Sequence, residues 1–441
     1  MFENKKIFVF GMARSGYEAS KFLLKRNASV IVTDSKEQDK EHVDEIISLG
    51  GEVIITEHPE ELIDNTFDYI VKNPGIRKDH VCLEKARSLN IPIINEVELA
   101  YFVLPDVKII GITGSNGKTT TTMLTYDILS SASMPVHLGG NIGYPLCSLV
   151  DKVKDGDILL LEISDHQLCD MYDFKTDISV FTNVSKTHLD FHESYDVYKG
   201  MKMRIFNHHT SDDIAILNGD NEEVLELTKN ISSKKHYFSS LNKKDIFLEN
   251  GIIICPNYIK IDTSTLKLKG EHNYENIMAS ILIAKTLSIP SDIVKRVIEN
   301  FKGVEHRIEY VKEINGVSFY NDSKSTNNVA TITALKSFTN PTILLMGGLD
   351  RGQDYNELLP FMNNVKEVIC FGETKNKINE FCNLNYIKCF NFDTLKEAIL
   401  KAFEDSLEKD IILLSPAHAS WDQYKCFEDR GNEFKEIINN L

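Results

Sequence analysis

The sequence predicts an α/β protein of three domains, in which short parallel strands alternate with longer helices. Two patterns predict this class: short β-branched and aromatic runs stop abruptly at Gly, Asn, Asp or Ser, and longer helical stretches separate these runs. A chain of 441 residues also exceeds what one hydrophobic core usually organises. We expect domain boundaries near residues 105 and 303, which divide the chain into segments 1–105, 106–303 and 304–441.

Each predicted strand ends at a polar or glycine residue. In the first half of the chain, strands are predicted at residues 7–10, 30–33, 69–71, 109–112 and 158–161. Ligands of open α/β sheets bind at the carboxyl ends of the strands, so these positions are favoured for a site. Alternating runs between residues 239 and 269, with a turn at Asn250-Gly251, predict a local hairpin. Strands resume at residues 317–320, 343–346, 368–371 and 411–414.

Composition argues against several classes of protein. The net charge of −16 opposes non-specific binding to nucleic acid or to an anionic membrane. No apolar run is long enough to span a membrane, and residues 1–11 lack the pattern of a secretory signal, so we expect a cytoplasmic protein. We also expect a monomer. The 8 cysteines include no C-x-x-C pair, which indicates reduced thiols rather than a zinc site or a disulfide framework.

The sharpest motif runs from Gly111 to Thr120, where an apolar strand enters a glycine-rich loop and then a helix. Glycines let backbone N–H groups face phosphate oxygens, and the helix N-terminus adds positive potential. We expect Lys118 to reach the β and γ phosphates of ATP and the Thr119 hydroxyl to bind Mg²⁺. The common pattern has glycine where this chain has Ile112, so a glycine-rich turn with a chance Lys-Thr is the alternative.

Two further residues are candidates for the metal site. Glu162 follows the strand predicted at residues 158–161, at a position where an acidic residue completes many nucleotide sites. A glutamate that caps a helix or faces solvent is the alternative. His188 follows another predicted strand, although a lone histidine at such a place is more often structural.

A second glycine pattern, Gly11 to Gly16, is similar to a dinucleotide-binding fingerprint, but Ala13 replaces its middle glycine. That glycine allows a pyrophosphate to approach the backbone closely, so its loss weakens the interpretation as an NAD-dependent oxidoreductase. Close packing of a strand against a helix is the alternative explanation.

Several motifs together resemble the Mur ligase family over essentially the whole chain, and most closely its D-glutamate-adding member. The motifs that carry the resemblance are residues 114–119, 140–143, 183–190, 270–276, 305–307, 321–327, 415–420 and 427–434. The segments Asn-Asp-Ser-Lys-x-Thr-Asn and Ser-Pro-Ala-x-Ala-Ser look specific to the D-glutamate-adding enzyme, whereas the phosphate loop alone would not separate the members.

The resemblance implies an amino-terminal Rossmann-like domain for UDP, a central P-loop ATPase-like domain and a carboxyl-terminal Rossmann-like domain for the amino acid. It also implies a ligase of peptidoglycan precursor synthesis that uses ATP and Mg²⁺. In that reaction the carboxylate of UDP-N-acetylmuramoyl-L-alanine becomes an acyl phosphate. The amine of D-glutamate then displaces phosphate through a tetrahedral intermediate.

The resemblance assigns residues of this chain to roles, group by group. The catalytic residues would be Lys118, Glu162, His188, Lys202 and Lys324. Lys202 matches a lysine that the family carries as a carbamate. The metal ligands would be Thr119, Glu162 and His188. ATP would be bound by Gly114, Ser115, Asn116, Gly117, Lys118, Thr119, Thr120, Asn273, Asn276, Arg307 and Asp322. The UDP-sugar would be bound by Arg14, Ser15, Asp34, Ser35, Asn73, Pro74, Gly75 and Asn141. D-Glutamate would be bound by Lys324, Thr326, Arg351, Ser420 and Phe427.

The chain departs from the family pattern at two places. Asp165 and His166 stand where the family often has Ser and Phe, and Lys186-Thr187 replaces a more acidic pair. The sequence assigns no role to these four residues. Two other functions stay open at this point: a sister amide ligase such as a folylpolyglutamate synthase, and a non-catalytic P-loop nucleotide-binding protein.

Overall fold

The computed structural model describes residues 1–185 and 192–441, which form two compact units. The first unit comprises Met1–Lys260 and Glu275–Val294, and the second comprises Ile261–Tyr274 and Lys295–Leu441. The described residues form three separate sheets, each built within one of the three predicted segments of the chain.

The first sheet has five strands in the order β3-β2-β1-β4-β5, all of them parallel. Its strands are β1 (Lys6–Phe10), β2 (Ser29–Asp34), β3 (Glu52–Ile55), β4 (Tyr69–Lys72) and β5 (Ile93–Ile94). Its helices are α1 (Arg14–Leu24), α2 (Lys40–Ser48), α3 (Val81–Ser88) and α4 (Glu96–Tyr101). Ile7 and Val9 of β1 belong to one core cluster, and Phe8 and Phe10 belong to another. Both faces of this strand are therefore covered, which explains its unbroken apolar run.

The second sheet has nine strands in the order β14-β13-β12-β11-β10-β9-β6-β8-β7. Its strands are β6 (Lys108–Thr113), β7 (Val136–Gly140), β8 (Ile158–Glu162), β9 (Ile178–Phe181), β10 (Ile214–Asn218), β11 (Lys234–Ser239), β12 (Ile246–Glu249), β13 (Ile252–Cys255) and β14 (Ile259–Asp262). The helices of this segment are α5 (Lys118–Ser131), α6 (Asp165–Leu168), α7 (Tyr195–Met203), α8 (Glu222–Leu227), α9 (Glu271–Thr286) and α10 (Ser291–Asn300).

The hairpin predicted around Asn250-Gly251 is confirmed, because β12 and β13 are antiparallel and Glu249 pairs with Ile252. Both turn residues have positive φ, at 51° and 75°. A two-residue turn with positive φ at both positions matches the twist of the flanking strands, and Asn and Gly tolerate this conformation best.

The third sheet has six strands in the order β15-β16-β20-β17-β18-β19, of which only the β15–β16 pair is antiparallel. Its strands are β15 (Glu309–Ile314), β16 (Val317–Asn321), β17 (Thr342–Gly347), β18 (Val365–Phe371), β19 (Cys389–Asn391) and β20 (Ile411–Leu414). Its helices are α11 (Asn328–Leu335), α12 (Lys375–Leu384), α13 (Leu395–Asp405) and α14 (Phe427–Asn439). Apolar clusters cover both faces of this sheet.

The structure has a strand at each of the nine residue ranges predicted above, and most of these strands are longer than predicted by a residue at one or both ends. The largest difference is β18, which begins at Val365 rather than at residue 368, because Lys366 and Glu367 continue the strand despite their charge. No α-helix in the described part of the chain is long and apolar enough to cross a membrane. The domain boundaries near residues 105 and 303 stay a prediction.

Candidate active site

The phosphate loop connects the carboxyl end of β6 to the first turn of α5 in the first unit. Gly114 has φ +149°, and a Cβ at this position would overlap Thr182 Oγ1 and lie 3.1 Å from Asn183 O. Gly117 has φ +82°, and a Cβ there would overlap the side-chain oxygen of Asn276. The two glycines are therefore required by backbone conformation and by close neighbours, which supports the interpretation of this segment as a built loop.

The segment after β9 holds the phosphate loop in shape. Ser115 N donates to the backbone oxygen of Asn183 at 2.9 Å, and Asn116 N donates to its side-chain Oδ1 at 2.9 Å. Ser115 Oγ lies 2.7 Å from the hydroxyl of Tyr198 in α7. Ser115 and Asn116, which were predicted to bind ATP, thus use these groups to organise the loop itself.

Lys118 is the first residue of α5, and its ammonium group lies over the loop. Its Nζ donates to Gly114 O at 2.7 Å and to Ser115 O at 3.0 Å. Thr119 and Thr120 follow in the first turn and are buried. The first backbone N–H groups of a helix have no partner within the helix, so this end of α5 attracts anions. The lysine charge and the helix end together form a site suited to a polyphosphate.

Glu162 ends β8 beside Ile112 of β6 and Gly140 of β7 in the sheet register. The residue is 1% exposed. Its Oε1 accepts a hydrogen bond from Asn141 Nδ2 at 2.6 Å, whereas its Oε2 is buried without a hydrogen-bond partner. A buried carboxylate oxygen is costly unless a cation or a donor satisfies it, so the side chain fits a metal ligand and not a solvent-facing glutamate.

Within the described residues, no group of three or more His, Cys, Asp or Glu side chains could hold a metal. This finding is compatible with Mg²⁺, which keeps several waters and is commonly bound by one or two protein oxygens together with phosphates. Glu162 and the hydroxyl of Thr119 are the described side chains that fit this role. His188, the third predicted ligand, lies outside the described residues, as do Lys186 and Thr187.

A cavity of about 370 Å³ lies in the first unit, at the carboxyl edges of both sheets. Six of the residues predicted to bind a UDP-sugar line it: Arg14, Ser15, Asn73, Pro74, Gly75 and Asn141. The other two are not among its lining residues. Asp34 instead accepts a hydrogen bond from Met12 N at 2.8 Å, which shapes the loop after β1, and Ser35 is exposed beyond the end of β2.

Sequence reasoning missed several residues of the cavity wall, among them Asn95, Glu96, Ser164, His166 and Gln167. Asn95 follows β5 and caps α4, so the rule that placed polar residues at strand ends could have found it. Glu96 is 3% exposed, and burial raises its pKa to about 7 although Cys147 N–H donates to it. A buried carboxyl of this kind leaves no signature in the sequence.

Lys202 of α7 is fully buried, so it is not an ordinary surface lysine. Its Nζ donates to Gly114 O at 2.9 Å and to Asp165 Oδ1 at 3.2 Å. Burial lowers the pKa of Lys202, and the charge of Asp165 opposes that change. Burial likewise disfavours ionised Asp165, but the charge of Lys202 and the hydrogen bond from His192 outweigh it, so the pKa of Asp165 lies below its usual value.

In the second unit, Asp322 follows β16 and is 2% exposed. Its Oδ2 accepts from Ser415 Oγ at 2.7 Å, and its Oδ1 accepts from Ile308 N at 3.2 Å. Burial raises the pKa of Asp322 to about 6, although these donors and the charge of Arg307 favour the ionised form. Arg307 also acts with burial to lower the pKa of His272 to about 4.

The two asparagines predicted to contact the nucleotide lie in α9, near its amino end. Asn273 Nδ2 donates to Lys269 O at 2.7 Å within the second unit. Asn276 belongs to the first unit, where its Oδ1 accepts from Thr121 Oγ1 at 3.3 Å beside Gly117 of the phosphate loop.

Four of the residues predicted to bind D-glutamate lie on segments that follow strands of the third sheet, and the fifth, Phe427, begins α14. Lys324 Nζ is 5.7 Å from the ring centroid of Phe427, and the Arg351 guanidinium lies 4.7 Å from the Trp421 ring. Ser420 is 1% exposed, and its Oγ has no hydrogen-bond partner. Thr326 is half-buried on the loop that carries Lys324.

Arg430, which sequence reasoning missed as a site residue, ties these loops together. It is fully buried in α14 and donates to Ser323 O at 2.8 Å, to His418 O at 3.0 Å and to Gly347 O at 3.3 Å. The loops after β16, β17 and β20 thus share one guanidinium. Charged residues surround Arg430 in the sequence of α14, so the sequence did not indicate that its side chain would be buried.

Comparisons with known proteins agree with this architecture. Residues 5–95 match the model described as Mur ligase MurD-like, N-terminal domain, residues 112–284 match the Mur ligase middle domain, and residues 306–418 match the Mur ligase, glutamate ligase domain. The chain is 42% identical to the UDP-N-acetylmuramoylalanine--D-glutamate ligase of Listeria innocua, covering 100% of this chain and 98% of that protein. It is 41% identical to the enzyme of the same name from Bacillus cereus, with the same coverage.

Solved structures show the same fold at low sequence identity. The UDP-N-acetylmuramate-alanine ligase MurC of Thermotoga maritima superposes with a TM-score of 0.58 at 18% identity, covering 99% of each chain. MurF ligase of Thermotoga maritima, in complex with ADP, gives a TM-score of 0.56 at 18% identity, covering 99% of this chain and 96% of that one.

Proposed function

Because the chain belongs to the Mur ligase family, we propose that it is an ATP-dependent ligase that joins D-glutamate to UDP-N-acetylmuramoyl-L-alanine in peptidoglycan precursor synthesis. Full-length relatives at 40–42% identity that carry this activity in their names support the proposal. The low-identity structural neighbours contribute only the fold.

The structural observation that carries the proposal is the position of Asn141. Its side chain lines the cavity of the first unit and also donates to Glu162, whose second carboxylate oxygen is buried and unsatisfied. Asn141 therefore joins the cavity wall to the side chain best suited to hold Mg²⁺. Arg14, which also lines the cavity, offers a guanidinium to an anionic ligand such as the diphosphate of UDP.

The reaction needs two stages because a carboxylate is a poor electrophile. In the first stage the substrate carboxylate attacks the γ-phosphate of ATP, and ADP leaves. Lys118 and the amino end of α5 would stabilise the negative charge of the transferring phosphoryl group. Thr119, Glu162 and His188 would hold Mg²⁺, which supplies a Lewis acid that neutralises charge on the phosphate oxygens.

In the second stage the amine of D-glutamate attacks the acyl phosphate, and inorganic phosphate leaves the tetrahedral intermediate. Lys324 and Arg351 supply cations for the carboxylates of D-glutamate, while Thr326 and Ser420 supply hydroxyl donors. The unsatisfied hydroxyl of Ser420 supports its assignment to a ligand. Asn273, Asn276, Arg307 and Asp322 are assigned to the nucleotide.

Lys202 enters this proposal in one of two states, as an ammonium ion or as the carbamate implied by the family resemblance. Either state leaves the roles of Lys118 and Glu162 unchanged. We also propose that the enzyme is a cytoplasmic monomer with domain boundaries near residues 105 and 303. Size-exclusion chromatography with light scattering tests the monomer, and limited proteolysis tests the boundaries.

The substrate assignment is tested by ADP release in the presence of UDP-N-acetylmuramoyl-L-alanine while the second substrate is varied. D-Glutamate should support turnover, and L-glutamate and glycine should not. If L-glutamate, glycine or a folate acceptor pair is used much better, the substrate assignment fails although the ligase class survives. Absence of ADP release with every pair of substrates would favour a non-catalytic nucleotide-binding protein.

A further inference from the structure

We propose that Lys72 is a positioning residue for the UDP-sugar: its buried ammonium group gathers the carbonyls of residues 73–76 and thereby sets the shape of the cavity wall that receives this substrate. The inference rests on the proposed function and deepens it, because it names a residue behind the wall that governs substrate affinity. Lys72 is the last residue of β4 and does not itself line the cavity.

The first argument is the set of contacts that Lys72 makes. The residue is 2% exposed. Its Nζ donates to Ile76 O at 2.9 Å, to Asn73 O at 3.3 Å and to Pro74 O at 3.5 Å. An ammonium group has three N–H donors, which match these three carbonyls of one short segment. A carbonyl that turned away would leave a buried donor unsatisfied, so the lysine holds residues 73–76 in one backbone conformation.

The second argument is that a distant segment balances the charge of Lys72. Asp170 is buried just after α6, and its Oδ2 lies 2.9 Å from Lys72 Nζ as an ion pair without the geometry of a hydrogen bond. The backbone oxygen of Asp170 also accepts a hydrogen bond from Asn95 N at 3.2 Å. Because Asn95 lines the cavity, the ion pair joins two parts of its wall. A buried ion pair adds little net stability over an apolar pair, so its effect on the wall is the property to test.

The third argument is a chain of hydrogen bonds from Lys72 to side chains that line the cavity. In a trans peptide the C=O and the next N–H point in opposite directions, so the Pro74 carbonyl that faces Lys72 turns the Gly75 N–H away from it. Gly75 N donates to Asn73 Oδ1 at 3.0 Å, and Asn73 Nδ2 donates to Ser15 Oγ at 3.2 Å. Lys72 thus orients Asn73 and Ser15, two residues assigned above to the UDP-sugar.

A purely structural role for Lys72 makes a different prediction. If only the charge balance mattered, removal of both charges in Lys72→Met/Asp170→Asn would preserve the cavity, because neither ion would stay buried alone. If Lys72 positions the wall, the same double variant loses the three donors to residues 73–76. The double variant therefore separates the two roles.

The first test compares the kinetics of Lys72→Met/Asp170→Asn with those of the wild type. The double variant should raise KM for UDP-N-acetylmuramoyl-L-alanine on the order of tenfold, and it should change kcat and KM for ATP less than about threefold, because it weakens binding of one substrate and leaves the reacting groups in place. An unchanged KM for the UDP-sugar in the folded double variant would overturn the proposal. A fall in kcat with no change in this KM would also overturn it.

The matched control is Lys175→Met. Lys175 forms a partly buried pair with Asp213 at 3.0 Å in the same unit. These two residues directly precede β9 and β10, at the amino edge of the second sheet and away from the cavity. The control should leave KM for the UDP-sugar within about twofold. A rise in the control as large as that in the double variant would show a general effect of lost ion pairs and would overturn the proposal.

Two further measurements need no turnover. Calorimetry with UDP-N-acetylmuramoyl-L-alanine should give a dissociation constant on the order of tenfold higher for the double variant than for the wild type. Hydrogen exchange without ligand should show lost protection of residues 72–80 in the double variant and not in Lys175→Met. If the wild type binds no UDP-sugar, the proposed function fails, whereas hydrogen exchange still decides whether Lys72 holds the wall. Unchanged exchange of this segment in the double variant would overturn the proposal.

Discussion

Replacing Gly114 by alanine tests whether the phosphate loop depends on one close approach. The residue has φ +149°, and an added Cβ would overlap Thr182 Oγ1. Thr182 cannot turn aside freely, because its hydroxyl donates to Asn116 O at 2.6 Å and also lies 3.3 Å from Thr113 O. Gly114→Ala should therefore distort the loop locally and leave the rest of the fold intact.

The size of the effect follows from two terms. An L-residue in this backbone conformation costs about 1–3 kcal/mol. Loss of the Thr182 hydrogen bond costs about 0.5–1.5 kcal/mol. The sum is about 1.5–4.5 kcal/mol. Gly156 is the matched control, since it has φ +84° and nothing lies within 4 Å of a Cβ there. Gly156→Ala should cost only the backbone term of about 1–2 kcal/mol.

The assay is hydrogen exchange with peptide resolution, because a chain of several domains has no single unfolding free energy. Peptides covering β6 and α5 should lose protection in Gly114→Ala, and the KM for ATP should rise on the order of tenfold or more. Gly156→Ala should leave both quantities near their wild-type values. Equal protection of β6 and α5 in the two variants, together with an unchanged KM for ATP, would refute the reasoning.

Three further predictions concern single charges. Lys118→Ala should keep the fold, judged by circular dichroism, and lower turnover on the order of 10²-fold or more because a preorganised charge at a developing anion is lost; full activity would contradict this role. Glu162→Gln should raise the Mg²⁺ concentration needed for half-maximal ADP release on the order of tenfold, and an unchanged Mg²⁺ titration would remove Glu162 from the metal site. Glu96 has a folded pKa of about 7 against 4.5 for the free side chain, so the folded state retains a proton that the unfolded state has lost. The free energy of unfolding should therefore fall by about 3 kcal/mol as the pH rises from about 4.5 to about 7. Glu96→Gln should reduce the difference between the urea midpoints at pH 5 and pH 7.5. An equal difference in the wild type and in Glu96→Gln would show that this carboxyl is not protonated in the folded state.

Much of the fold was predictable because its signals are local. Runs such as those of β1, β6 and β8 are apolar on both faces, and each ends at a turn or site residue that needs particular chemistry. The hairpin at Asn250-Gly251 was predictable for the same reason, since positive φ at two successive positions restricts the residue types that fit. The phosphate loop combined both signals, a buried strand and glycines at positions where a Cβ would overlap a neighbour.

The site residues divide in a similar way. Residues that recur in a motif were found by resemblance, and six of the eight predicted for the UDP-sugar line one cavity. Asp34 and Ser35 do not line it, because the chain at the end of β2 directs Asp34 to the backbone of Met12 and leaves Ser35 exposed. The roles of Arg430 and Glu96 were not predictable, since burial of a charged side chain depends on partners from distant segments.

The amino-acid sequence by itself determined the α/β class, the phosphate loop with Lys118 and Thr119, and the family, because these depend on short-range patterns of apolar, glycine and polar residues. Only the tertiary structure decided the environment of Lys202. Residues 114, 165 and 202 are far apart in the chain, and their contacts arise when α6 and α7 pack beside the loop. The charge state of a buried lysine depends on the groups within a few ångströms of its nitrogen, and those groups are brought there by folding.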